Sequence, residues 1–298
     1  MRKGRFKKAG NLNFANSLSL RVEEVMDDLR PVAKEASDED HFWNEDDEGQ
    51  VYDSALAQVL EEREGKAWAE GNIRYGPFIL IVDSDTRVPE DCFADAVSEM
   101  AESPEVAIVQ HASGVMQVAN HFFENGVAFF TRSIQYSISF VCASGEVAPF
   151  VGHNAFIRWA ALQECAELDQ DDGVMKVWSE SHVSEDFQIA ISLQTKGWVI
   201  RWATYSNGDF EEGVSLTCDD ELNRWQKYSY GCSELVYHPF KSWFRGPFTP
   251  LFRKFLWTGG IPTHSKFSIC GYIFSYTAIG IAWLLTTANY FIVGLSRE

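Results

Sequence analysis

The sequence predicts an α/β fold that carries a membrane helix near its C-terminus, and three observations lead there. Residues 78–82, FILIV, form an apolar run bounded by Gly76 and Pro77 that leads straight into Asp83 and Asp85 with only Ser84 between them. A run of that length suits a central parallel strand better than a helix, which needs more residues to bury a face. Downstream, stretches with helical spacing of apolar residues alternate with short apolar runs as far as Ala203. Residues 267–295 then hold no charged side chain, a length beyond the roughly 20 residues that a bilayer crossing requires.

At 298 residues the chain can bury a substantial core, and 46% hydrophobic with 14% aromatic residues excludes a disordered protein. The net charge of −18 is a local property: residues 21–70 contain 17 Asp and Glu against 5 Lys and Arg. Nucleic acid is excluded as a partner because no basic face remains outside the two ends. The six cysteines are scattered, with no CxxC pair and no clustered His, so neither zinc nor a disulfide framework is supported. Residues 1–8 are basic and are followed by polar AGNLN, which is no secretory signal.

Along the chain, Lys8 to Asn13 (KAGNLN) reads as a glycine turn entering a helix, with Asn13 or Asn16 as its cap and a basic anion site at its start. Residues 21–75 form an acidic insert. Its cluster SDEDHFWNEDDEG, residues 37–49, reads as a solvated loop without chemistry. Asp83 and Asp85 follow the strand at the edge where open α/β sheets bind ligands, and two carboxylates one residue apart can hold a divalent cation against a diphosphate. The same letters also open phosphatases of the haloacid-dehalogenase type, and a plain capping turn explains them too. Residues 91–102 predict a helix spaced by Phe93, Val97 and Met100, and residues 106–110 a strand. Residues 121–139 predict a long helix with core aromatics, while His111 and His121 are structural or exposed.

Residues 150–158, FVGHNAFIR, read as strand-turn-strand, with Gly152 allowing close backbone approach and His153 or Asn154 available to a ligand; a simple turn fits equally. Ser184, Glu185 and Asp186 predict the start of a helix closed by Gly197, with Ser184 as N-cap. That placement also presents a rigid carboxylate at a sheet edge, where it can serve as a general base. Strand 198–203 follows. On the next helix Glu221, Arg224, Trp225 and Tyr228 share a side, putting a guanidinium beside an indole. Residues 241–266 carry Lys241, Arg245, Arg253, Lys254 and Lys266 and no acid, an interfacial basic segment that places everything before residue 267 in the cytoplasm.

The order KAGNLN, DSD, GHNAFIR, SED and RW ahead of a membrane helix resembles the family 2 glycosyltransferases of the cellulose, chitin and hyaluronan synthase type, closest to the fungal cellulose-synthase-like branch. The resemblance implies a GT-A fold over residues 1–240 and inverting transfer from a nucleotide-sugar donor, a UDP-sugar, to a glycan acceptor. It implies an integral membrane protein of the plasma membrane or Golgi, in contact with lipid. By that resemblance Lys8 and Asn11 line the nucleotide pocket, and Asp83 and Asp85 bind the diphosphate through Mg²⁺ or Mn²⁺, Asp85 as the direct ligand. His153 and Asn154 belong to the acceptor-side loop, Glu185 to the substrate site, Asp186 is the catalytic base, and Arg224 with Trp225 holds pyrophosphate and acceptor sugar. The chain departs from the pattern at Glu221, where the family has Gln or Arg, at Ser184, where Thr is common, and in the few residues before KAGNLN, where the family has further strands. The alternative implied by that last departure is an N-terminally incomplete, non-catalytic relative.

Overall fold

The computed structural model describes residues 7–37, 41–143, 147–169, 172–180, 183–205 and 210–296. It divides into two compact units, Met1–Pro77 and Phe78–Glu298.

The first unit is built on two helices, α1 (Lys7–Ala36) and α2 (Glu45–Glu62). Leu18, Val22, Val25 and Met26 recur at the three and four spacings of one helical face and bury themselves against Val51, Tyr52, Ala55 and Val59. The expected glycine turn at Lys8 to Asn13 is therefore absent: Gly10, Asn11, Asn13 and Asn16 all lie inside α1, so neither Asn13 nor Asn16 stands at a cap position. Asn16 is instead buried in mid-helix, its Oδ1 accepting the Tyr75 hydroxyl at 2.9 Å. The expected acidic loop is also corrected from Asn44 onward, residues 38–40 lying outside the described chain. The Asn44 side chain accepts from the N–H groups of Asp46 and Asp47, and Asp47 accepts the Asn44 N–H at 2.9 Å, a capping box. Four acids in the first turn of α2 face the positive end of its dipole, so like charges that repel in a loop are stabilising here.

In the second unit β1 (Phe78–Ile81) leads through the DSD turn to α3 (Cys92–Glu102), β2 (Val106–His111), β3 (Ser113–Met116) and α4 (Phe122–Cys142). Next come β4 (Ala155–Arg158), α5 (Trp159–Gln163), the hairpin strands β5 (Glu167–Leu168) and β6 (Met175–Lys176), α6 (Glu185–Thr195), β7 (Val199–Ala203) and β8 (Phe210–Gly213). Helix α7 (Cys218–Val236), a 3-10 turn (Phe240–Arg245), α8 (Pro250–Trp257) and α9 (Thr263–Leu295) complete it. The fold is mixed α/β, as expected. The main sheet has the order β1-β4-β2-β7, with β1 and β2 antiparallel to β4 and β2 parallel to β7. The strand before Asp83 is thus an antiparallel edge strand, paired from Phe78 with Arg158 to Ile81 with Ala155, and not a central parallel one. The central place belongs to β2, all six of whose residues are buried.

Helix α3 buries Cys92, Ala96 and Met100, one face at successive turns, while Phe93 and Val97 stay exposed on its flank. The aromatics of α4 are not core: Phe122, Phe129, Phe130, Tyr136 and Phe140 are all exposed. What α4 buries is Glu124, Ala128 and Cys142. The Glu124 carboxylate accepts the N–H groups of Val118 at 2.7 Å and Ala119 at 3.0 Å and that of Asn120, bonds that hold it below the usual carboxylate range, Val118 foremost. Residues 150–153 are not a strand; Val147 makes an isolated bridge to Ile200, and only β4 of the expected strand pair forms.

Beneath the C-terminal elements Phe187 and Ile191 of α6, Cys232, Leu235 and Val236 of α7, Phe252 and Phe255 of α8, and Ile261 and Ile273 make one buried cluster. The first part of α9 therefore belongs to the core of this unit. From residue 277 to 295 every α9 residue is exposed. These residues rise roughly 28 Å as a helix, close to the roughly 30 Å hydrocarbon thickness of a bilayer.

Candidate active site

The turn after β1 is closed by the Thr86 N–H donating to the Asp83 carbonyl at 3.1 Å, and it presents Asp83 half-buried and Asp85 exposed. Strand β8 runs beside it. Arg87 and Glu211 exchange backbone hydrogen bonds at 2.9 and 3.2 Å and pair through their side chains at 3.2 Å. That register brings Gly213 to Asp85, where a Cβ on the glycine would stand 3.6 Å from Asp85 Oδ2. It also brings Glu212 to His153: the imidazole has Nε2 2.5 Å from Glu212 Oε2 and Nδ1 3.9 Å from Asp83 Oδ2. Asp83 keeps 43% of its side chain open to solvent whereas Glu212 keeps 12%, so the first can receive a ligand and the second serves the interior of the site.

His153 is preceded by Gly152, whose φ of +85° is a left-handed conformation that a side chain resists. The glycine does permit a close approach, as its sequence context predicts, but the group that approaches is Asp186: a Cβ at 152 would lie 2.7 Å from Asp186 Oδ2. Asp186 occupies the first turn of α6 beside buried Glu185, with its Oδ1 accepting the Phe187 N–H at 2.7 Å. Ser184 holds the N-cap position but makes no side-chain cap bond. Asn154 is fully buried, also at positive φ, and its Nδ2 donates to Ser113 Oγ at 2.9 Å. Its side chain braces the loop that carries His153.

Helix α7 begins at its cap Thr217, which accepts the Asp220 N–H. Arg224 Nε donates to the Tyr228 hydroxyl at 2.8 Å, and the guanidinium lies 5.7 Å from that ring. Burial works against the charge of Arg224, yet Tyr228, Glu212 and Glu221 together hold its pKa above the ordinary value. Trp225 donates its indole N–H to Glu221 Oε1 at 2.8 Å. The departure at Glu221 thus clamps the indole through an (i, i+4) bond. Around Trp225 lies a row of rings: Phe130 at 6.1 Å and Tyr276 at 6.1 Å, then Tyr272 at 5.6 Å from Tyr276 and Phe187 at 6.0 Å from Tyr272.

Close approaches therefore connect Asp83, Asp85, His153, Glu212, Gly152, Asp186 and Arg224 within the second unit. Lys8 and Asn11 lie in the first unit, where Asn11 lines an open cleft of about 560 Å³ with Phe14, Trp68, Asn72 and Tyr75. Glu212, Tyr272 and Tyr276 escaped sequence reasoning. Glu212 lies in a short polar stretch with no local signal, and the tyrosines lie inside a run that reads as membrane helix.

Among the described residues no cluster of three or more His, Cys, Asp or Glu side chains is arranged to hold an ion. Asp83 and Asp85 offer hard carboxylate oxygens on an open turn, the donor set of a Mg²⁺ or Mn²⁺ bound by one or two carboxylates together with substrate phosphates. The residues fit such an ion only with a phosphorylated ligand beside it.

A family model described as glycosyl transferase family group 2 matches residues 78–293. The glucans biosynthesis glucosyltransferase H of Cereibacter sphaeroides is 29% identical over 144 residues, 45% of this chain and 22% of its own. That of Xanthomonas euvesicatoria pv. vesicatoria is 28% identical over 177 residues, 55% of this chain and 26% of its own. The chain thus spans about a quarter of the length of the curated relatives it matches. A mannosyltransferase from Pyrobaculum calidifontis, solved with GDP-Man and Mn²⁺, aligns at a TM-score of 0.34 and 15% identity over 83% of this chain and 67% of that one.

Proposed function

Since the chain belongs to glycosyl transferase family group 2, we propose that it moves a sugar from a nucleotide-diphosphate donor to a glycan acceptor at a membrane surface, as a polysaccharide synthase of the cellulose-synthase-like type. The observation that carries this reading is the convergence of Asp186 and Asp83 on the two sides of the Gly152–His153 step. Asp83 and Asp85 would hold the donor diphosphate through Mg²⁺ or Mn²⁺, whose positive charge offsets the charge that builds on the leaving group. Arg224 adds a fixed cation for the same oxygens. Asp186 takes the proton from the acceptor hydroxyl as its oxygen attacks the anomeric carbon, and the bond from that carbon to the diphosphate breaks. Attack opposite the leaving group inverts the anomeric centre. Trp225 gives the acceptor ring a stacking face, and residues 277–295 of α9 anchor the unit in the bilayer with the catalytic side in the cytoplasm.

The test is calorimetric binding of UDP-glucose, UDP-N-acetylglucosamine and GDP-mannose to the full chain in detergent, with Mn²⁺ and then with chelator. Metal-dependent binding that disappears in Asp85→Ala is the expected result and names the nucleotide. Binding of none of these donors by a folded sample overturns the reading.

A further inference from the structure

Resting on Asp186 as the base, we propose that α7 is the platform that aims it, with Glu234 and Gly231 as positioning residues. The turn that delivers Asp186 is not held by its own cap, because the Ser184 side chain makes no cap bond. Two contacts from one face of α7 hold it. Glu234 Oε2 accepts the Val183 N–H at 3.1 Å. Gly231, three residues earlier and so on the same side of the helix, meets Ser184 so closely that a Cβ there would overlap the Ser184 hydroxyl and stand 3.1 Å from its Cβ and 3.4 Å from its backbone N.

Residue 232 completes the seam. Cys232 is buried, and that burial, together with the nearby charge of Asp186, pushes its thiol up to about 12. Asp186 is therefore hemmed in by Gly152 on the loop before β4 and by the turn that α7 grips. Each glycine marks a place where backbone must come closer than a side chain allows. A carboxylate that must meet an acceptor hydroxyl within hydrogen-bond reach loses about a hundredfold in rate for a displacement of roughly 1 Å. The same helix carries Arg224 and Trp225 two turns earlier. One rigid element thus fixes the distance between the base and the groups that receive diphosphate and acceptor.

The experiment uses the full chain in detergent, with Mn²⁺ and whichever of UDP-glucose, UDP-N-acetylglucosamine or GDP-mannose it binds, reading nucleoside diphosphate release and hydrogen exchange at residues 183–187. Glu234→Ala and Gly231→Ala are each expected to lower kcat at least tenfold with KM for the donor within twofold, and to speed exchange at 183–187. Glu234→Gln, whose amide oxygen still accepts the Val183 N–H, is expected to keep at least half of kcat and wild-type exchange. If Asp186→Asn turns over like wild type, the base assignment falls and the platform with it. If Asp186→Asn is inactive while Glu234→Ala keeps wild-type kcat, the platform alone is overturned. Unchanged exchange in Glu234→Ala overturns it whatever the activity. Should Gly231→Ala fail to fold, the Ala and Gln variants of Glu234 carry the comparison.

Discussion

Gly152 and Asp186 meet at a separation that only glycine permits: a Cβ at 152 would stand 2.7 Å from Asp186 Oδ2, on a backbone with φ of +85°. Gly152→Ala is therefore expected to do two separable things. Positive φ strains an alanine by about 1 kcal/mol or more, and the new methyl pushes the carboxylate aside, lowering transfer about a hundredfold. Gly173→Ala is the control, since it has φ of +72° with nothing within 4 Å of the added Cβ. It should lose stability alone. Steady-state rates and melting temperatures of the two variants check the difference, and equal activity in both would count against Asp186.

Glu212 and His153 form an enclosed pair that spans the site, with side chains 12% and 16% exposed. Removing one member leaves the other enclosed without that contact. A double-mutant cycle of Glu212→Ala and His153→Ala, read by chemical unfolding, should give a coupling energy of roughly 1–3 kcal/mol. Additive effects would mean that the 2.5 Å contact contributes no stability of its own.

Buried His111 supplies a pH dependence. Phe156, Tyr205 and Phe210 surround its ring, and burial lowers its pKa to about 4. The folded state then binds fewer protons than the unfolded state, whose imidazole titrates near 6.5. Stability is thus whole above about pH 6.5 and falls as the pH drops towards 4, by a total on the order of 3 kcal/mol. Melting curves at pH 7 and pH 5 should show the loss in the native chain, and His111→Phe should reduce it.

Helix α9 has two environments within one uncharged run. Ile273 is 2% exposed in the cluster with Phe252 and Phe255, whereas Leu285 is 64% exposed. Ile273→Ala is expected to cost about 2–4 kcal/mol of stability with membrane association unchanged. Leu285→Arg places a charge worth about 3 kcal/mol against insertion at a bilayer centre. It should shift the chain towards the soluble fraction in vesicle flotation while the melting temperature holds. A shift of both properties in both variants would mean that α9 is a single packed element.

Much of this was legible in the linear sequence because it is local. A short apolar run before DSD, the start of a helix at SED, the shared face of Glu221, Arg224 and Trp225, and an uncharged run from residue 267 each depend on neighbours within a few positions. Two of the readings that failed depended on what lies across the fold. The strand before Asp83 looks central by composition, but its edge position comes from pairing with β4, some 75 residues later. The phenylalanines of α4 look like core residues, but Glu124 bonding to the amides of residues 118–120 decides which side of the helix turns inward.

The sequence alone settled the α/β class, the carboxylates at a strand end, the helix that starts at Glu185 and carries Asp186 in its first turn, and the apolar C-terminal helix, because hydrophobic spacing acts over one or two turns of chain. Only the tertiary structure decided that Gly152 receives Asp186, that Glu212 meets His153, that α7 grips the turn at Val183, and that α9 is core as far as Tyr276. Those contacts join segments tens of residues apart, and they form only when burial of the helices on the sheet has set the distances between them.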